Sequence, residues 1–197
     1  MGTPRTPLSE RDTAIVLGGD QGRGAYAAKV LAARNINIII PYSQRPCHAN
    51  AVISEIESRG GSAIALLADI RKPSHMEVLF NAGRFAFGNV NVVANVFLPR
   101  RREAGWMDAT PPLVYDPLKT LFAAAQLLPR GGRLLYCAGS VGGSIDALDM
   151  DAAKHLRELR QVAQFHELEL QCLDGEQSWE TVQLRPTLPT PDVEPGK

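Results

Sequence analysis

One junction near the start of the chain constrains its fold more than any other feature. A short apolar run, Thr13–Leu17 (TAIVL), passes directly into the glycine cluster Gly18-Gly19-Asp20-Gln21-Gly22-Arg23-Gly24. That cluster passes into Ala25–Arg34, a stretch of helix formers. A short, uniformly apolar run bounded by turn residues has the composition of a strand buried on both faces. The alternation then repeats. Asn37–Ile40 (NIII) is a β-branched run ending at Pro41, and Ala49–Arg59 reads as a helix stopped by Gly60-Gly61. Ser62–Ala68 reads as a third strand, Ser74–Phe87 as a helix with Ser74 as its N-cap, and Asn91–Val96 as a fourth strand. Strands alternating with helices over short connections predict an α/β fold: one parallel sheet in a three-layer α/β/α sandwich. Right-handed crossovers put the strand ends on one edge, where such sheets bind their ligands.

The second half is less regular. Leu113–Leu128 reads as a helix with Pro117 in its first turn or breaking it. Gly131-Gly132 precedes a fifth strand, Arg133–Ala138. Asp149–Leu170 has a largely helical composition, although His166–Cys172 (HELELQC) alternates with period two and admits a strand. Thr181–Leu184 (TVQL) reads as a last strand. The expected organisation is a frayed segment over residues 1–11, one domain over 12–186, and an extended proline-containing tail over 187–197.

Composition excludes several classes. Lys+Arg and Asp+Glu are both 21, so no net field points to nucleic acid. No stretch approaches the about 18 apolar residues of a membrane span, and the first residues lack the apolar core of a secretory signal. Cys47, Cys137 and Cys172 are far apart and odd in number, which predicts neither a disulfide framework nor a metal site and suits a reduced, cytoplasmic setting. His48, His75, His155 and His166 show no metal-ligand spacing, so no metal is expected.

The glycine cluster carries the functional signal. Glycines after a strand allow a tight turn and close backbone approach to a pyrophosphate, and the following helix offers unpaired N–H groups and the positive end of its dipole. The spacing Gly18-x-x-x-Gly22-x-Gly24 resembles the short-chain dehydrogenase/reductase family, with its T-G-x-x-x-G-x-G loop on a Rossmann-type doubly wound sheet. Glu55–Asp69 is similar to that family's second helix and third strand, Phe87–Val93 to its F-G-x-L-D-I-L stretch, and Gly131–Leu135 to its G-G-R-I-V strand. The likeness spans roughly residues 12–186, is strongest to about residue 95, and leans toward the NADP-type ketoreductases such as the polyhydroxynaphthalene reductases.

The resemblance implies an NADP(H) site. Gly18, Gly22, Arg23 and Gly24 would hold the pyrophosphate, Asp69 would lie on the adenine side, and Asn95 would stand beside the cofactor. After the second strand an NAD enzyme carries an acidic residue. Here the run is Tyr42-Ser43-Gln44-Arg45, in which Ser43 and Arg45 suit a 2′-phosphate. The catalytic carry-over is incomplete. Met150-Asp151-Ala152-Ala153-Lys154 matches the family's Y-A-A-A-K stretch, so Lys154 is kept and the tyrosine position is Met150, a thioether with no proton to give. Ser140 matches the catalytic serine by local motif, whereas counting back from Met150 lands near Cys137 or Ala138. Pro117 stands where the relay asparagine belongs. Phe97 and Leu98 replace small residues and would crowd the ribose, and Asp20 sets a carboxylate near the pyrophosphate. The family's last strand and substrate-covering segment have no full counterpart before the end of this sequence.

Three readings follow. The first is a protein with a degraded catalytic set, weak or inactive in ordinary carbonyl reduction and serving as a binding partner. The second is an NADP(H)-dependent oxidoreductase of a small carbonyl or polyketide-like substrate. The third is a repurposed isomerase, dehydratase or cyclase. The expected partners are a small molecule in the strand-end cleft and a second copy docked through the helices Leu113–Leu128 and Asp149–Leu170, with no nucleic acid and no membrane.

Overall fold

The computed structural model describes residues 10–96, 117–137, 150–173 and 178–182. Its elements in chain order are β1 (Thr13–Leu17), α1 (Gly22–Ala33), β2 (Asn37–Tyr42), α2 (Pro46–Ser58), β3 (Ala63–Leu67), α3 (His75–Phe87), β4 (Val92–Asn95), α4 (Pro117–Leu127), β5 (Arg133–Cys137), α5 (Met150–Phe165), β6 (Glu169–Leu173) and α6 (Ser178–Thr181). The six strands form one sheet in the order β3-β2-β1-β4-β5-β6. Every pairing is parallel. The strand order reverses between β1 and β4, which opens a crevice beyond their carboxyl ends.

The sheet is parallel because its inner strands bury both faces. Ile38 and Ile40 belong to the apolar layer with α1 and α2, while Ile39 belongs to the layer with α3 and α4. In β1, Ala14 and Val16 face the first layer and Ile15 and Leu17 the second. All of these are fully buried, and each such Ile, Leu or Val contributes about 1.5–3 kcal/mol.

The opposite, N-terminal edge is locked by a polar network. Thr13 N donates to Asn91 Oδ1 at 2.9 Å, and Asn91 Nδ2 donates to Asp12 Oδ1. Buried Arg133 reaches Asp12 Oδ2 at 3.3 Å and Glu169 Oε2 at 3.2 Å. One guanidinium thereby ties the start of β1 to β5 and β6. Leaving Arg133 without Asp12, its mostly buried partner, costs about 3–5 kcal/mol, whereas Glu169 is 60% exposed and contributes less.

Several expectations are corrected. Thr181 does not begin a strand: Ser178–Thr181 is a short helical turn that buries Trp179 and is followed by buried Val182, while residues 183 and 184 lie outside the described set. The period-two stretch does form a strand, so α5 ends at Phe165 and β6 follows. α2 starts at Pro46 rather than Ala49, because proline is well placed in a first helical turn. Ser74 occupies the N-cap position of α3 with helical backbone angles and makes no capping side-chain bond. Arg11 is not frayed: it is buried, and its carbonyl accepts from Asn89 Nδ2 at 3.2 Å. Residues 1–9, the tail over 187–197, Trp106, Phe97, Leu98, Asp149 and Ser140 lie outside the described residues.

Candidate functional site

The glycine loop leaves the C-terminal end of β1 at the centre of the sheet. Gly18 has φ 80° and Gly22 φ 53°, the left-handed region that favours glycine. Gly24 is required for a different reason: a Cβ there would lie 1.8 Å from the Gly18 carbonyl oxygen. The first turn of α1 is folded directly onto the loop that precedes it. Gln21, the residue before α1, is extended, makes no side-chain cap, and is followed by no acidic residue in the first turn. The helix dipole and its first N–H groups are therefore not offset by a capping side chain at the strand-end crevice. Arg23 and Asp20 are half-buried in this loop.

The other predicted binding residues come to the same edge. Ser43 and Arg45 are exposed after β2, and Arg45 directly precedes α2, whose first turn also lacks an acidic residue. Asn95 ends β4, is fully buried, and is the register partner of Leu17. Asp69 follows β3, but its carboxylate is occupied within its own turn. Arg71 Nε donates to Oδ1 at 2.8 Å, Arg71 Nη2 to Oδ2 at 2.8 Å, and Arg71 N to Oδ1 at 3.0 Å. The bond from the Arg71 guanidinium holds the Asp69 carboxyl below the usual carboxylate range, against the opposing pull of burial. Asp69 N donates to His75 Nδ1 at 2.9 Å. Thr120 of α4 donates to the Ile70 carbonyl at 2.7 Å and pins the same loop.

Of the residues expected to act in catalysis, Met150 begins α5 and Lys154 lies one helical turn later. α4 begins at Pro117, as a proline in the first turn permits. Ser140 lies outside the described residues. Sequence reasoning missed the Arg71 and His75 grip on Asp69, because only the folded turn brings these groups together. It also passed over Tyr136, which sits inside an apolar strand and has no motif around it.

The short chain dehydrogenase pattern matches residues 12–97. Over these residues the chain is similar to the short-chain dehydrogenase/reductase family. A probable tetrahydroxynaphthalene reductase of Zymoseptoria tritici is 37% identical over 95 residues, 47% of this chain and 36% of that protein. The tetrahydroxynaphthalene reductase PfmaG of Pestalotiopsis fici is 28% identical over 134 residues, 67% of this chain and 46% of that protein. The matched stretches therefore span less than half the length of these relatives. A short chain dehydrogenase from Burkholderia cenocepacia, solved in complex with NADP, superposes with a TM-score of 0.63 at 25% identity, covering 87% of this chain and 75% of that one. Among the described residues no helix is long and apolar enough to cross a membrane, and no cluster of three His, Cys, Asp or Glu is suited to a metal.

Proposed function

We propose that this short-chain dehydrogenase/reductase binds NADP(H) and reduces ordinary carbonyls only weakly. The observation that carries the reading is the loop: Gly18 and Gly22 at positive φ, Gly24 pressed onto Gly18, and an α1 N-terminus without a side-chain cap. Gly22, Arg23 and Gly24 would turn their N–H groups to the pyrophosphate. Ser43 and Arg45 would take the 2′-phosphate, with Asp69 on the adenine side and Asn95 beside the ribose. When bound, the reduced nicotinamide supplies a hydride. This chain's own task is to hold the carbonyl and protonate its oxygen. Lys154 and Ser140 are the groups that the resemblance assigns to that task, and Met150 leaves it without the usual donor. A lysine lacking its tyrosine would still polarise a carbonyl, which also suits a non-redox isomerisation or dehydration.

Calorimetric titration tests the reading. NADPH should bind at least about tenfold more tightly than NADH, equal to about 1.4 kcal/mol, and Gly24→Ala should abolish the binding. Absence of heat with either nucleotide would sink the proposal.

A binding-partner role has its own support. On α4 and α5, Phe122, Leu127, Leu156 and Val162 pack against the core but stay half-buried, and Phe165 is 83% exposed. A second copy docked there would cover them. Sedimentation should then show a dimer that Phe165→Glu weakens, and a monomer at all concentrations would rule this out.

A further inference from the structure

Two adjacent rows of residues cross the sheet on the face covered by α4 and α5. The inner row is Ile15, Val93, Leu134 and Leu170, each the register partner of the next, and it is wholly apolar. The row at the C-terminal edge is Leu17, Asn95, Tyr136 and Cys172, again partner to partner. An amide, a phenol and a thiol thus stand side by side where a sheet built only for packing would repeat the apolar row. Asn95 and Tyr136 are buried and Cys172 is exposed, so the row runs from the interior to solvent.

The direction of α5 places its start over this edge. Its far end returns to the opposite edge, where Gly131 N, just ahead of β5, donates to the Glu167 carbonyl at 2.9 Å and Leu168 N donates to that of Ala163 at 2.7 Å. α5 therefore runs antiparallel to the strands, and the turn that contains Met150 and Lys154 lies at the same end of the sheet as Tyr136. We propose that Tyr136 is the proton donor of this cleft, serving from the sheet in place of the tyrosine whose position on α5 is taken by Met150. The proposal rests on the NADP(H) reading above.

The step balances as follows. The Tyr136 O–H bond breaks as the carbonyl oxygen gains that proton. The carbonyl carbon gains a hydrogen with two electrons from the co-reactant, a reduced nicotinamide, which leaves oxidised. Solvent reprotonates the phenolate past the exposed Cys172, and the sum is ketone, NADPH and a proton giving alcohol and NADP+. Burial, and then the neighbouring thiols of Cys172 and Cys137, raise the Tyr136 phenol above its ordinary value. A phenol so held stays protonated at neutral pH and gives its proton slowly, because acid catalysis is most efficient when the pKa lies near the working pH. Slow turnover is thus what this donor would produce.

Tyr136→Phe removes the hydroxyl and keeps the ring. NADPH affinity should be unchanged by calorimetry, and kcat on a generic ketone should fall by at least about 100-fold. Met150→Tyr added to Tyr136→Phe should restore turnover. A second readout needs no turnover: in the unaltered protein, NADP+ should shift one tyrosinate absorbance transition to lower pH, and Tyr136→Phe should delete that transition. If the variant melts early, this shift in the unaltered protein decides. NADPH-bound Tyr136→Phe working at the unaltered rate, no ketone turnover by the NADPH-bound unaltered protein, or a transition indifferent to NADP+ would each overturn the proposal while leaving cofactor binding intact. Failure to bind NADPH at all would instead remove the reading beneath it.

Discussion

Asp69 shows how one residue's neighbours set its behaviour. Three donors from Arg71 converge on its carboxylate, and the carboxyl is held below its ordinary value, chiefly by the side-chain bond to Arg71. A carboxyl whose folded pKa is depressed stabilises the fold above its unfolded value of about 3.9. That contribution is lost as pH falls through the lower folded value. Arg71→Gln should therefore raise the Asp69 titration toward the ordinary range and move acid unfolding to higher pH. Arg71 is itself 41% exposed, so solvent screening limits the change at neutral pH to about 0.2–1 kcal/mol. A carboxyl-resolved NMR titration checks it, and an unmoved Asp69 would contradict the assignment. Met150 poses the complementary question of a missing group. Met150→Tyr should raise NADPH-dependent ketone turnover by about 100-fold or more, read by loss of NADPH absorbance.

Among the elements, α3 shows tight packing at a single glycine. Gly83 faces inward, and a Cβ there would come within 2.3 Å of Val90 Cγ2 and 2.5 Å of Ile39 Cδ1. Overpacking of this kind costs about 1–3 kcal/mol, against a helix-propensity gain of at most about 1 kcal/mol. Gly83→Ala should lower the urea midpoint, while Phe85→Ala on the outer side, where Phe85 is 95% exposed, should stay within about 0.5 kcal/mol. A stabilising Gly83→Ala would show that α3 can move away. The same packing logic separates what could be read from the sequence from what could not. β1, β2 and β4 were readable because strands buried on both faces are mostly apolar, as TAIVL and VVAN are apart from one polar residue at an end of each. β6 lies at the edge, half-exposed, so its alternation competed with the helical composition before it. TVQL misled because Val182 belongs with Trp179, three residues earlier, in one apolar cluster around a short helical turn. The glycine loop announced itself through its spacing. The Asn95–Tyr136–Cys172 row did not, since three separate strands must be set in register before it exists.

At the scale of the whole molecule, the two apolar layers are closed differently. The layer under α3, α4 and α5 is roofed by long helices. The layer under α1 and α2 is finished by the four-residue α6, which inserts buried Trp179 into the apolar cluster that also holds Val16, Ala94 and Leu173. α1 holds this segment at two points: Tyr26 Oη donates to Glu180 Oε1 at 2.9 Å, and the Arg34 guanidinium donates to the backbone carbonyls of Glu180 and Val182. α6 is too short to persist alone, since isolated helices below about 12 residues are marginal in water, so its position depends on the indole and on these contacts. Trp179→Ala should therefore cost about 3–5 kcal/mol, a fall large enough to read directly as a lower melting temperature. Arg34→Gln leaves the indole and removes the guanidinium clamp. It should cost less, about 1–3 kcal/mol for donors lost to the two carbonyls, and should make the Trp179 fluorescence more accessible to a soluble quencher. Because the glycine loop sits at the other end of α1, NADPH affinity should change little in Arg34→Gln if α1 behaves as a rigid rod. Unaltered quenching together with unaltered melting in Arg34→Gln would mean that Trp179 alone seats the segment and that the clamp contributes nothing.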